Sequence, residues 1–223
     1  MEMRLRTFKQ RSSLLDSYKG ALGEQGDSVK VSCEVGVWRG HFSREIVSRF
    51  RNSLEKHYLI DPWAPQENEF YVDDCNKSME VQEEALASTK EKLSALDFDQ
   101  NKLHFLRGLS SDMCHQIPDD SLDFCYIDAR HDYLGCKDDI NSFWPKVKSG
   151  RMLAGHDYLD AKEASDMLVE LGHNLNQDWS LCYDGTTNGG AVKEAVNEFA
   201  RENDLQVFVT YRDNWTSWAV LKS

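Results

Sequence analysis

From residue 29 onward the chain alternates short apolar runs with longer amphipathic stretches, and nearly every apolar run ends on a polar residue or a glycine. That rhythm restricts the fold severely. A short β-branched or aromatic run followed by a helical crossover reads as a βα unit, and repeated βα units build a parallel sheet covered on both faces. The spacing predicts strands at residues 29–35, 58–60, 103–106, 122–127 and 152–154. Helices are expected from about Ser43, with Ile46, Val47 and Phe50 on one face, and at residues 81–96. Further helices are expected at residues 110–117, capped by serine, and over Ile140, Phe143, Trp144 and Val147, ended by Gly150. Another starts near Lys162, and residues 191–203 form the last. Residues 206–211 and 215–221 read as two closing strands paired as a hairpin. The expected fold class is α/β: a seven-stranded sheet of five parallel strands plus a C-terminal antiparallel hairpin, with helices on both faces.

Composition narrows the partners. The 223 residues suffice for one α/β domain, read as residues 29–223, behind an N-terminal helical segment, residues 1–28. A formal net charge of -12 argues against nucleic acid, which requires a basic face. No apolar run approaches the ~20 residues that cross a bilayer, and the basic N-terminus lacks the apolar core of a secretory signal. A cytoplasmic protein with no membrane partner is the expectation. Cys33, Cys75, Cys114, Cys125, Cys136 and Cys182 contain no C-x-x-C spacing, so they read as reduced and mostly buried rather than as a zinc site.

In a parallel sheet the ligand lies beyond the carboxyl ends of the strands, where the strand order reverses. The first strand delivers Glu34, Gly36 and Gly40, in G-x-x-x-G rather than G-x-G-x-x-G spacing. Glycines there let a backbone approach a ligand, and the spacing favours a ligand without a pyrophosphate. Glu34 would repel phosphate and suits a cationic amino-acid moiety. Asp61 closes the second strand and can accept hydrogen bonds from ribose hydroxyls. The fourth strand delivers Asp128, and the fifth His156 and Asp157. Alone, the glycines serve turn geometry as readily as a ligand; with the acids at the neighbouring strand ends, the set points to a site.

The run Asp123-Phe-Cys-Tyr-Ile-Asp128-Ala-Arg-His131-Asp-Tyr133 is followed by Phe143-Trp-Pro-Lys-Val-Lys-Ser-Gly150 and Leu153-Ala-Gly-His156-Asp157-Tyr158. Together these resemble the class I S-adenosylmethionine-dependent methyltransferases, with their Rossmann-like fold. The narrower likeness is to the small-molecule O-methyltransferases that tailor macrolides and cephalosporins and, more distantly, to catechol O-methyltransferase. The resemblance runs from about Val29 to the C-terminus and departs from the family pattern at Ala129, Arg130 and Asp132. It implies that Gly36 and Gly40 cradle the methionine part of the cofactor, with Glu34 steadying the loop or the amino group. It also implies that Asp61 holds the ribose, that Trp63 packs near the adenosine, and that Ser110 and Ser111 lie by the adenine. Asp128 would sit next to the methyl donor. In metal-dependent relatives Asp128, His156 and Asp157 fall where a divalent ion, magnesium or manganese, is held.

The chemistry points the same way. Methyl transfer to a hydroxyl needs an oriented, deprotonated acceptor, and a divalent ion held by carboxylates supplies both. His131, three residues past Asp128, is placed to act as general base, with a reference pKa near ~6.5. The plainer alternatives stay open: Asp128 and Asp157 as caps, His156 as a supporting donor, and His131 as a structural or substrate-binding residue. His41, His57, His104, His115 and His173 read as surface or helix-end residues. Trp63, Phe70 and Tyr71 could wall the cofactor, and Trp179, Tyr183, Trp215 and Trp218 an acceptor pocket, although packing explains any one of them. The stretch 184–190 reads as a lid or acceptor loop, and residues 8–20 as a cover for the pocket or a contact with a partner subunit. The expected partner is a small-molecule acceptor, with a homodimer possible. A catalytically silent cofactor-binding or interaction protein is the alternative; an NAD(P) oxidoreductase is disfavoured by the missing glycine fingerprint.

Overall fold

The computed structural model describes residues 3–4, 11, 14–15, 29–172 and 177–223. Its strands are β1 (Met3–Arg4), β2 (Val31–Val35), β3 (Lys56–Asp61), β4 (Leu103–Arg107), β5 (Leu122–Ile127), β6 (Val147–Gly155), β7 (Phe208–Val209) and β8 (Trp218–Leu221). They form one sheet in the order β1-β7-β8-β6-β5-β2-β3-β4. Strands β2 to β6 are parallel, and β8 runs antiparallel to both β6 and β7. The seven expected strands are therefore present. A two-residue edge strand, β1, adds to them by pairing parallel with β7. Strand order reverses between β2 and β5, so the crevice that can hold a ligand opens there.

Helices α1 (His41–Phe50), α2 (Met79–Ser94), α3 (Ser110–Met113), α4 (Tyr133–Phe143), α5 (Ala161–Glu170) and α6 (Ala191–Glu202) cover the sheet. The side-chain alternation of the strands sorts the core into two layers. On β5, Cys125 and Ile127 face α4 and α6 through Ile140, Phe143, Val196 and Phe199. Phe124 and Tyr126 face α1 and α2 through Ile46, Val47, Phe50, Ala85 and Leu93. Leu14 and Leu15 are buried in that second layer, so these two residues pack on the domain. They and Arg11 are helical, as expected of residues 8–20, the rest of which lies outside the described residues.

Several boundaries differ from the sequence reading for local physical reasons. Ser110 makes no side-chain cap; Leu109 stands at the cap position of α3, and the chain continues in a 3-10 turn at Cys114–Gln116. Helix α4 stops at Phe143, because Pro145 belongs to the 3-10 turn Trp144–Lys146, and Val147 already begins β6. The closing strands are shorter than expected, and β6 is longer. His57, read as a surface or helix-end residue, is fully buried on β3, and His173 lies outside the described residues.

The tips of β2 and β5 nearly touch. Gly36 has φ +84, and a Cβ built on it would stand 1.9 Å from the backbone carbonyl oxygen of Asp128. Its N–H donates to Ile60 O at 2.8 Å, while the Asp128 N–H donates to Val35 O at 2.7 Å. Glycine is required here by the approach of one strand end to another, as well as by the left-handed backbone. Gly36→Ala should therefore destabilise the fold by about 3 kcal/mol, as overpacking and positive φ act together. The urea midpoint reads this directly, and an unchanged midpoint would contradict the close approach.

Candidate active site

A cavity of about 250 Å³ opens at the tips of β2, β3 and β5, and Gly36, Trp38, Asp61, Ser110, Asp128 and His131 are among the residues that line it. Of the glycine turn, Gly36 reaches the cavity but Gly40 does not. A Cβ on Gly40 would meet Thr89 Cγ2 at 2.6 Å, so this glycine lets α2 pack against the start of α1. Ser111 and Trp63 are also absent from the cavity wall, and Trp63 is completely buried behind it.

Trp63 nevertheless braces the site. Its indole Nε1 donates to Trp38 O at 2.9 Å, and its backbone N–H donates to Asp61 Oδ1 at 2.7 Å. The Trp38 N–H donates to Asp61 Oδ2 at 2.8 Å. Trp38 and Trp63 both have positive φ, at 51 and 40, and the Asp61 carboxylate offsets that strain by accepting from both. Burial raises the Asp61 pKa against the opposing backbone N–H groups of Trp38, Trp63 and Val37. Each oxygen keeps a lone pair for a ligand.

Glu34 behaves differently from the expectation of a charged partner. It is 1 % exposed and accepts a short hydrogen bond from Ser43 Oγ. Ser43 Oγ also lies 3.0 Å from His57 Nε2, and His57 Nδ1 lies 2.8 Å from Ser32 Oγ. These side chains form one buried polar chain between β2, β3 and α1. Burial pushes the Glu34 carboxyl up to about 8 and the His57 ring down to about 3, so both are neutral at pH 7. Glu34 is therefore a hydrogen-bonding member of the scaffold at neutral pH, not a fixed negative charge.

The acids and imidazoles at the tips of β5 and β6 converge. Asp128, His131 and Asp157 each offer a ligand atom, and those atoms lie within 4.8 Å of one another. His131 Nε2 stands 3.0 Å from Asp157 Oδ2, while its Nδ1 stands 2.5 Å from Asp73 Oδ2. His156 Nδ1 lies 3.0 Å from Asp157 Oδ1 and 3.6 Å from Asp128 Oδ1. Burial opposes charge on these rings, yet the carboxylates outweigh it. His131 is raised well above the usual histidine range by Asp73 and Asp157, and His156 is raised to about 10 by Asp157 and Asp128. Asp157 resists its own burial because His156 and His131 hold its pKa below the usual range. Its φ of 58 places it in the left-handed region, which turns its carboxylate towards the site.

Some residues here were not legible in the sequence. Asp73, in the loop after β3, orients His131, and the indole of Trp179 stacks on the same ring at 4.6 Å. Arg11 Nη1 donates to Asp128 Oδ2 at 2.7 Å. Arg130, one of the departures from the family pattern, lies 4.3 Å over Tyr71 and 5.3 Å over Tyr183, and its Nε donates to Asp132. Asp132 in turn caps α4 through the Gly135 N–H. Tyr71 lines the cavity, whereas Phe70 packs against Gly185 and Trp218 is a core residue of β8 packed against Gly155 of β6. Weak sequence signals existed for the aromatics and for Arg130. For Asp73 and Arg11 there was none.

A group whose folded pKa is raised contributes stability below its unfolded pKa and loses it as pH rises through the folded value. For Glu34 that window runs from 4.5 to about 8. Across it, the difference in unfolding free energy between wild type and Glu34→Gln should shift steadily in the variant's favour, and stay flat outside it. Parallel denaturation series at stepped pH give the readout; a pH-independent difference would mean that Glu34 is charged in the fold.

Residues 33–158 match the sequence model of a methyltransferase domain. No curated protein sequence matches the chain. Among solved structures, a Staphylococcus aureus protein assigned provisionally to the caffeoyl-CoA O-methyltransferases superposes with a TM-score of 0.60 at 15% identity, over 93% of this chain and 82% of its own. The O-methyltransferase NovP gives 0.56 at 16% identity, over 94% and 80%. An O-methyltransferase from Bacillus cereus in complex with SAH gives 0.56 at 12% identity, over 97% and 84%. Identities this low speak for the fold alone. The domain match spans more than half of the chain and all three strand tips that open the cavity, so the chain belongs to the methyltransferase domain family.

Proposed function

We propose that this protein is an S-adenosylmethionine-dependent methyltransferase that modifies a hydroxyl of a small molecule. One observation carries the reading: Asp61 and Asp128 flank the Gly36 turn in a single cavity at the reversal of strand order. In this reading the turn at Gly36 and Trp38 runs along the methionine part of the cofactor. Asp61 accepts from the ribose hydroxyls, Ser110 lies towards the adenine, and Asp128 faces the amino group and the methyl donor. Gly40, Ser111 and Trp63 support these groups from behind. Two of the named structural neighbours are O-methyltransferases and one of them carries SAH, which supports the cofactor and the acceptor atom.

The donor set also suits a divalent cation, since two carboxylates and an imidazole present ligand atoms within 4.8 Å, with His156 alongside. Asp128, Asp157 and one or both histidines would hold it, a mixed set that favours manganese over magnesium. Such an ion supplies Lewis acidity towards an acceptor oxygen. His131 is the residue placed to take the acceptor's proton, because Asp73 fixes its Nδ1 and aims Nε2 into the site. A base needs that nitrogen unprotonated, while Asp73 and Asp157 raise the ring's pKa well above the usual histidine range. Both ring nitrogens of His131 are already engaged by carboxylates, which is the observation behind a second reading, a protein that binds cofactor without turnover.

A small-molecule acceptor, a cytoplasmic location and a homodimer complete the proposal. No helix of the described residues is long and apolar enough to cross a membrane.

Calorimetry with S-adenosylhomocysteine tests the cofactor. The wild type should bind, and Asp61→Ala should weaken binding by about 10- to 100-fold through lost charged hydrogen bonds. Equal affinities would remove the ribose assignment. For the ion, Asp157→Asn should abolish any stimulation by manganese or magnesium, measured as methyl transfer to a panel of catechols, sugars and flavonoids. Full activity in excess chelator would exclude the metal, and cofactor binding without turnover on any acceptor favours the second reading.

A further inference from the structure

We propose that Arg11 binds the carboxylate of the cofactor's amino-acid end, and that the Arg11–Asp128 ion pair is exchanged for two ion pairs when that zwitterion arrives. The inference rests on the cofactor reading above and adds a residue from outside the matched domain.

Arg11 is built into the wall of the same cavity as Gly36 and Asp128. Its guanidinium lies 4.4 Å over the Phe42 ring and 5.5 Å from the Tyr126 ring centre. Its backbone N–H is held by the Asp213 carboxylate. Leu14 and Leu15, one turn further on, are 1 % and 2 % exposed in the core layer that contains Phe42. A side chain anchored this way presents a fixed charge rather than a wandering one.

An α-amino acid carries a carboxylate and an ammonium on one carbon, so its site needs a cation and an anion within a few ångströms of each other. Arg11 and Asp128 supply that arrangement, at 2.7 Å. The other cations on the cavity wall have partners of their own, and of these only the buried Arg130 Nη2 is without a hydrogen bond among the described residues. Arg130 is held between Tyr71 and Tyr183 and paired with Asp132, and His131 lies between Asp73 and Asp157. Arg39 lies over the Trp38 ring at 5.5 Å. Phe42, beneath Arg11 in the first turn of α1, has no polar side-chain atom to offer a carboxylate.

The exchange leaves each partner supported. Released from Asp128, the guanidinium keeps its two aromatic rings and can meet the carboxylate with its planar fork. Asp128 Oδ2 turns to the ammonium, while Oδ1 stays beside His156. One ion pair within the protein thus becomes two with the ligand.

The test compares Arg11→Met, Arg11→Lys and wild type by calorimetry with two probes: S-adenosylhomocysteine, and its decarboxylated analogue, which keeps the ammonium and loses the carboxylate. Arg11→Met should weaken S-adenosylhomocysteine by about 10- to 100-fold. It should leave the decarboxylated analogue unweakened, and Arg11→Lys should recover part of the loss. Tighter binding of S-adenosylhomocysteine to Arg11→Met would overturn the proposal, since Arg11 would then merely block the site. An equal loss for both probes would overturn it too, as damage to the fold. If wild type binds neither probe, the cofactor reading itself fails; if wild type binds both and the variant does not discriminate, only the role of Arg11 fails.

Discussion

A carboxylate taken out of water must lose its charge, find a cation, or be wrapped in N–H donors, and the strand tips of this protein confront that requirement repeatedly. Each acid answers it differently. Glu34 keeps its proton and joins a chain of hydroxyls and a neutral imidazole. Asp61 is wrapped by the backbone N–H groups of the two tryptophans. Asp73 and Asp157 share the ring of His131, Asp157 also faces His156, and Asp128 takes Arg11. The architecture around the cavity is largely the set of these solutions.

The solutions depend on a backbone that brings the tips together. Because strand order reverses between β2 and β5, the chain leaves these neighbouring strands towards α1 on one face of the sheet and α4 on the other. A gap opens between the departing segments, and Gly36 closes it to van der Waals contact with Asp128 at its base. Gly40 does the equivalent for α1 and α2, where Thr89 occupies the space of a side chain. The two glycines look alike in the sequence, yet one faces the cavity and the other a helix.

Charge balance also shapes what the site can accept. The cavity wall carries both signs, Arg11, Arg39 and Arg130 beside Asp61 and Asp128, in a chain whose net charge is -12. A ligand that carries both signs can replace internal pairs one for one, whereas a purely anionic ligand would leave the carboxylates without their partners. A sulfonium amino acid fits that condition better than a nucleotide polyphosphate does. The same pairing with Asp73 and Asp157 raises the His131 pKa well above the usual histidine range.

The sequence by itself determined the alternation of strands and helices and the polar residues that end the strands. Burial of a parallel sheet imposes a local, periodic pattern, and Asp61, Asp128 and Asp157 stand where that pattern stops. It also carried the resemblance at residues 123–158, inside the segment that matches the domain. Tertiary structure alone decided the state and company of those residues. Arg11 meets Asp128 across 117 residues of chain and Asp73 meets His131 across 58, distances over which no periodicity reports. His57 reads as an ordinary polar residue until β3 is seen to be buried on both sides, and Glu34 reads as a charge until its solvent is removed. Composition fixes which groups can ionise; only packing fixes which of them do, because the cost of a charge depends on the atoms that replace water around it.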